Sequence, residues 1–219
     1  QQGCSLIILA CNTASAKALR TIQQRDINPD KLRVLGVIRP TVEVVPQRTH
    51  TKHIGVLATP GTVASESYVI ELLKQDPTLI VTQQACPMWV PLIESGEHLS
   101  DGANYFVEKY LTELLTRDPL IDTIILGCTH YPLLQPKIEA FLSSIAHSQS
   151  PVTNHHISVV SQGSIVADSF ADYLHRHPEF SQDSKGGTCK YLTTESAAKF
   201  SESASIFLSE PITAHHIEL

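Results

Sequence analysis

Two cysteines stand in matching settings more than a hundred residues apart: Cys11 follows the run Ile7-Ile8-Leu9-Ala10, and Cys128 follows Ile124-Ile125-Leu126-Gly127. Polar residues come next in both cases, Asn12-Thr13 after the first and Thr129-His130 after the second. An ordinary thiol near pKa 8.5 is about 3% ionised at neutral pH, so it donates a proton readily and, once tuned, accepts one. Two thiols facing each other across one small molecule suit inversion at a carbon centre. One group takes a proton from one face while the other delivers a proton to the opposite face. Mirror-image substrates call for mirror-related catalysts, which is what a repeated cysteine setting supplies. The residues after each cysteine carry donors able to hold a carboxylate. Two other readings stay open on the residues alone. A strand-end cysteine also serves as a small buried hydrophobe. Cys128 with His130 two residues on has the makings of a nucleophilic Cys–His hydrolase, although that scheme uses only one of the two cysteines.

For both thiols to reach one cleft, the chain must place them on equivalent ends of strands. Short β-branched runs predict strands over 6–10, 34–38, 54–58, 79–83, 123–126, 157–160 and 190–192. Between them, helices are predicted over 14–25, 41–47, 62–74, 103–115, 132–144, 164–175 and 195–208. Several strands are apolar on both faces, as buried parallel strands are, and the alternation of types gives an α/β fold. In such a sheet, ligands bind beyond the carboxyl ends of the strands. Helix amino termini there lower a thiol pKa and offer N–H groups to an anion. The stretch 36–43 and the polar, irregular stretch 143–156 mark passages between two lobes. The expected first lobe is 1–35 plus 160–219, and the second is 36–159.

Bulk properties narrow the function classes. A chain of 219 residues, 42% hydrophobic and 17% charged, is long enough for one large or two small domains. Its net charge of −6 argues against a nucleic-acid partner, which wants a basic face. No apolar run is of bilayer length and no basic-then-apolar leader is present, so no membrane is expected. The sequence begins Gln1-Gln2-Gly3 without Met, which reads as a fragment or a processed product. Five scattered cysteines with no CxxC pair fit reduced cytosolic thiols better than disulfides or zinc. Cys86, ahead of Pro87-Met88-Trp89, reads as a packing residue, and Cys4 and Cys189 as incidental thiols. The pairs His155-His156 and His215-His216 read as solvated loops rather than metal ligands, since adjacent strand residues point to opposite faces. Lys17 and Arg20 read as a solvated helix face, and Gly61 after Pro60 as a tight turn before a helix.

The segments "ACNTASA" (10–16) and "GCTHYPLL" (127–134) together resemble the two signature segments of bacterial glutamate racemase, in the aspartate/glutamate racemase superfamily. "GVIRPTVE", "IGVLATPGTVASESY" (54–68), "ACPMWVPLIESGE" (85–97), "ISVVSQGSIVADSFADYL" (157–174) and "FLSEPITAHHIEL" are similar to further family segments, so the resemblance covers essentially the whole chain. It implies two pseudo-symmetric lobes, each a mainly parallel sheet flanked by helices, with the active site between them. It implies Cys11 and Cys128 as the two acid–bases, one for each enantiomer, with Glu94 and His130 assisting the second. It also implies substrate contacts from Asn12, Thr13, Thr59, Thr62, Thr129 and His130. The implied reaction interconverts L- and D-glutamate with no metal and no organic cofactor, in the cytoplasm, for peptidoglycan; a homodimer is the oligomeric expectation. One departure accompanies this resemblance. The family opens with a strand ending in Asp-Ser-Gly-x-Gly-Gly and continues to a Pro-Tyr-Gly segment, and neither occurs in the sequence. The expectation is an amino-terminally shortened first lobe with an exposed edge or apolar surface. Alternatives to an active glutamate racemase are then an inactive binding or regulatory relative, or a racemase for aspartate or another amino acid.

Overall fold

A computed structural model of the chain describes residues 3–28, 32–147, 156–180 and 188–218. It falls into two compact units, Gln1–Phe180 and Ser181–Leu219. In the first, β1 (Leu6–Leu9) leads through α1 (Asn12–Thr21) to β2 (Arg33–Gly36), which pairs parallel to β1 with Gly36 opposite Leu9. After α2 (Ile38–Val44) come β3 (His53–Ala58), α3 (Pro60–Ala64), α4 (Ser67–Gln75) and β4 (Ile80–Ala85). The chain continues through α5 (Trp89–Glu94), α6 (Asp101–Arg117), β5 (Thr123–Gly127), α7 (Gln135–His147), β6 (Ser158–Val160) and α8 (Gly163–Arg176). The larger sheet has the order β4-β3-β5-β6, with every pair parallel. This is the α/β class that the alternating pattern predicts.

The two central strands are buried on both faces, and their residues alternate between two cores. Leu57, Ile124 and Leu126 join Trp89, Ile93, Leu111, Leu114, Tyr131 and Ile138 on one side. Ile54, Val56 and Ile125 join Val42, Tyr68, Leu72 and Val160 on the other. Each such aliphatic side chain, taken fully out of water, contributes roughly 1.5–3 kcal/mol. Trp89 is fully buried and meets Tyr110 and Tyr131 edge-on, with ring centroids 5.9 Å and 4.7 Å apart. α6 presents Ala103, Val107, Leu111 and Leu114 to the core at helical spacing, and Ser100 caps it by accepting from the Ala103 N–H at 3.3 Å.

Three local features depart from the sequence pattern. The expected helix over 62–74 is two helices, because Glu66 turns left-handed at φ 54° and Ser65 accepts from the Ser67 N–H, competing with the helical ladder. α5 lay unforeseen, since its proline stands in the first turn, where no ladder bond is lost. β1 carries the exposed apolar edge expected of the first lobe: Ile7 and Ile8 are each 37% exposed, and among the described residues β1 has a neighbour on one side only. His215 and His216 lie in a strand of the second unit rather than in a loop. The polar passage 143–156 runs largely outside the described residues, at 148–155, and so does His155.

That second unit holds β7 (Tyr191–Thr193), α9 (Ala197–Leu208) and β8 (Ala214–His216), the strands pairing parallel. Ser196 caps α9, and Ser201 accepts from the Ala214 N–H at 2.9 Å, fastening helix to strand. Among the described residues, no helix is long and apolar enough to cross a membrane, and no three His, Cys, Asp or Glu side chains gather as a metal site.

Candidate active site

Register places the site. Ala58 of β3 lies opposite both Ala85 of β4 and Gly127 of β5, so Thr59, Cys86 and Cys128 leave three adjacent strands at one level, on the carboxyl edge of the sheet. Cys11 leaves β1 in the same sense, two residues past Leu9, and forms the N-cap of α1 in an extended conformation. Cys11 is exposed and Cys128 is buried, with 8% of its surface accessible. The two thiols are near enough that charge on Cys11 opposes ionisation of Cys128. Burial is the larger influence, and together they push the Cys128 thiol up to about 11, against the opposing pull of the His130 and Tyr131 backbone N–H groups. At neutral pH Cys128 therefore holds its proton.

A carboxylate and an imidazole back Cys128. The His130 Nδ1 lies 3.8 Å from the Cys128 Sγ, and its Nε2 lies 3.1 Å from Glu94 Oε1. Glu94 ends α5, and His130 enters the 3-10 turn Tyr131–Leu134 whose Tyr131 N–H bonds the Cys128 carbonyl at 3.2 Å. The three form a line along which a proton can pass between thiol and solvent.

Thr13, Thr59 and Thr62 make a triangle of hydroxyls with sides of 2.8, 3.0 and 3.1 Å. Thr13 comes from the first turn of α1, while Thr59 caps α3 by accepting from the Thr62 N–H at 3.3 Å. Each hydroxyl offers one hydrogen and two lone pairs, so the triangle keeps capacity for a polar ligand group. The Lys17 ammonium lies beside it, since a Cβ added at Gly61 would sit 3.1 Å from the Thr13 methyl and 3.5 Å from Lys17 Nζ. Thr129 is exposed at the rim.

The structure thus brings together Cys11, Cys128, Glu94, His130, Thr13 and Thr59, with Thr62 fully buried and reaching them only through the Thr13 and Thr59 hydroxyls. Asn12 is placed differently from what the pattern implies. It is only 2% exposed, and its side-chain amide is held by Tyr68 at 2.6 Å and Gln162 at 2.8 Å. Tyr68 and Gln162 were not singled out from sequence; a tyrosine on an otherwise apolar helix face and a glutamine between β6 and α8 are the only signals they leave. Cys86 is buried, as a packing residue should be, with its carbonyl accepting from the Tyr131 hydroxyl at 3.2 Å.

The chain is similar to known proteins along nearly its whole length. A profile of the Asp/Glu/hydantoin racemase family matches residues 1–153. A glutamate racemase of Ruegeria pomeroyi is 39% identical over 97% of this chain and 76% of its own length, and that of Lactiplantibacillus plantarum is 36% identical over 98% and 73%. Among solved structures, a glutamate racemase isoform of Bacillus anthracis superposes with a TM-score of 0.83 at 29% identity, covering 98% of this chain and 74% of that one. The Francisella tularensis glutamate racemase, solved in complex with D-glutamate, superposes with a TM-score of 0.79 at 25% identity, covering 98% and 73%. With paired thiols at the carboxyl edges of parallel strands and relatives of this closeness along nearly its whole length, the chain belongs to the Asp/Glu/hydantoin racemase family, among the glutamate racemases.

Proposed function

We propose that this chain interconverts L- and D-glutamate by two-base proton transfer between Cys11 and Cys128. The observation that carries the reading is that two thiols at the ends of different strands lie near enough for the charge on one to oppose ionisation of the other, Cys11 exposed and Cys128 buried. In one direction the Cys11 thiolate takes the α-proton from glutamate, and the electron pair left on Cα spreads into the α-carboxylate. The Cys128 thiol then delivers its proton to the opposite face, restoring the C–H bond with inverted configuration. For the other enantiomer the roles exchange: Cys128 must be a thiolate, and His130, backed by Glu94, relays its proton toward solvent. The hydroxyls of Thr13, Thr59 and Thr129 and the His130 ring are the groups available to carboxylate and amino groups of the substrate, while the buried Thr62 holds Thr13 and Thr59 in place. No organic cofactor takes part in this scheme. The D-glutamate formed serves peptidoglycan synthesis in the cytoplasm.

Incubation with L-glutamate in deuterated water tests the proposal. Deuterium is expected to enter Cα as D-glutamate appears. Racemisation that leaves the Cα hydrogen unexchanged, or full turnover by both Cys11→Ser and Cys128→Ser, would overturn it.

A further inference from the structure

We infer that Tyr68 and Gln162 are positioning residues that set where Cys11 stands relative to Cys128; the inference rests on the two-thiol reading above. Tyr68 is fully buried and touches the chain on both sides of the site. Its ring packs against the backbone just ahead of Cys128, where a Cβ added at Gly127 would lie 3.1 Å from Tyr68 Cε2. Its hydroxyl donates to Asn12 Oδ1 at 2.6 Å, one residue past Cys11. One rigid side chain therefore spans from the residue before one thiol to the residue after the other.

Gln162 closes the circuit. Asn12 Nδ2 donates to Gln162 Oε1 at 2.8 Å, and Gln162 Nε2 donates to the Tyr68 hydroxyl at 2.6 Å and to Thr41 Oγ1 at 2.9 Å. Tyrosine, asparagine and glutamine thus form a ring in which each member both donates and accepts, so neither amide can flip without losing a bond. Burial raises the Tyr68 phenol above its ordinary value, so it remains a donor throughout the working range of pH. All three side chains are at most 7% exposed, so water cannot replace a lost partner. Asn12 opens α1, and Cys11 caps it, so rotation or slippage of Asn12 moves the Cys11 thiol directly.

The test is Tyr68→Phe, which keeps the ring and removes only the hydroxyl, with the bond it donates and the bond it accepts. Because a misplacement of about 1 Å can cost about a hundredfold, kcat is expected to fall about tenfold or more with little change in KM. The isotope effect from Cα-deuterated substrate should become unequal for the two enantiomers. It should rise for the enantiomer whose proton Cys11 removes and fall for the other, because only one of the two transfers has been slowed. A loss of folding stability alone lowers both rates by reducing active protein and leaves the isotope effects as they were. Gln162→Leu should act in the same direction, and the double variant should cost less than the sum, as members of one network do. Unchanged kcat and isotope effects in Tyr68→Phe would overturn the inference.

A second measurement does not depend on turnover. Alkylation by iodoacetamide, followed peptide by peptide, compares Cys11 with the exposed Cys4 and Cys189 in the same molecule. Tyr68→Phe should change the Cys11 rate about threefold or more relative to those two, because its exposure and its place on the helix terminus both alter. An unchanged ratio would overturn the positioning role. If the parent chain exchanges no Cα hydrogen, the two-thiol reaction fails, while the alkylation ratio still decides whether Tyr68 holds Cys11.

Discussion

The two ends of the larger sheet treat buried polar groups in opposite ways. At the amino end, Asp122 precedes β5 and has both oxygens taken: Oδ1 accepts from the Thr49 and Thr123 hydroxyls at 2.6 and 3.0 Å, Oδ2 from the His50 and Thr51 N–H groups at 2.7 and 2.9 Å. Nearby, both Asp118 oxygens lie 2.9 Å from His53 Nδ1. At the carboxyl end, three hydroxyls bond chiefly to one another, and a thiol faces an imidazole at 3.8 Å. The first end is saturated by donors fixed in the backbone and neighbouring turns, and it holds the loop ahead of β3 to β5. The second keeps unspent donors, acceptors and a movable proton. The same strands supply both, so the contrast arises in the loops and helix caps at either end and not in the strands themselves.

The strongest way to break this contrast is to remove a thiol. Cys11→Ser and Cys128→Ser should each lower racemisation about a thousandfold, as loss of a positioned acid–base does, measured by chiral separation of the two glutamates; Asp122→Ala should leave the turnover of folded enzyme intact. The elevated Cys128 pKa gives a second effect. With a thiol titrating near about 11, its alkylation rate should climb about tenfold per pH unit from 7 to 10 without levelling, followed by mass spectrometry. A plateau below pH 9 would mean that Cys128 is not the buried, protonated partner.

Next in size is Glu94→Gln, which removes the charge behind His130. It should cut kcat about tenfold and narrow the pH range of activity, since proton return from Cys128 slows. At the other end, Asp122→Ala should destabilise the fold by about 2 kcal/mol at pH 7, read by urea unfolding. Burial tends to raise the Asp122 pKa, but its four hydrogen bonds win and hold it at about 2, below the ordinary 3.8. The stabilisation is therefore complete above about pH 4 and lost as pH falls through 2. Parent and variant should converge on that path. The smallest effect is expected from Thr62→Val, which takes one corner from the hydroxyl triangle: a few-fold rise in KM and about 1 kcal/mol or less in stability.

How much of this is legible in the sequence depends on what each feature rests on. The central strands are readable because they are buried on both faces and therefore continuously apolar. The two thiols are readable because each follows an apolar strand and precedes a helix or turn, where residue type carries the geometry. Glu94, Thr59 and Thr62 are marked only by the family resemblance, since a carboxylate or hydroxyl near a loop is ordinary on any surface. Asn12 is easily misjudged, since its identity is the same whether it meets a ligand or closes a buried ring. Tyr68 and Gln162 escape notice because their meaning lies in a contact that spans 94 residues, which no local pattern records. The break at Glu66 escapes because two serine side chains, not a proline or glycine, interrupt that helix.

The only tryptophan of the chain, Trp89, has a further use. It lies edge-on to Tyr131, whose hydroxyl reaches the Cys86 carbonyl and whose N–H reaches that of Cys128. Its fluorescence therefore originates one ring away from the turn that carries Cys128, so a ligand that shifts that turn can be followed optically in the unlabelled protein.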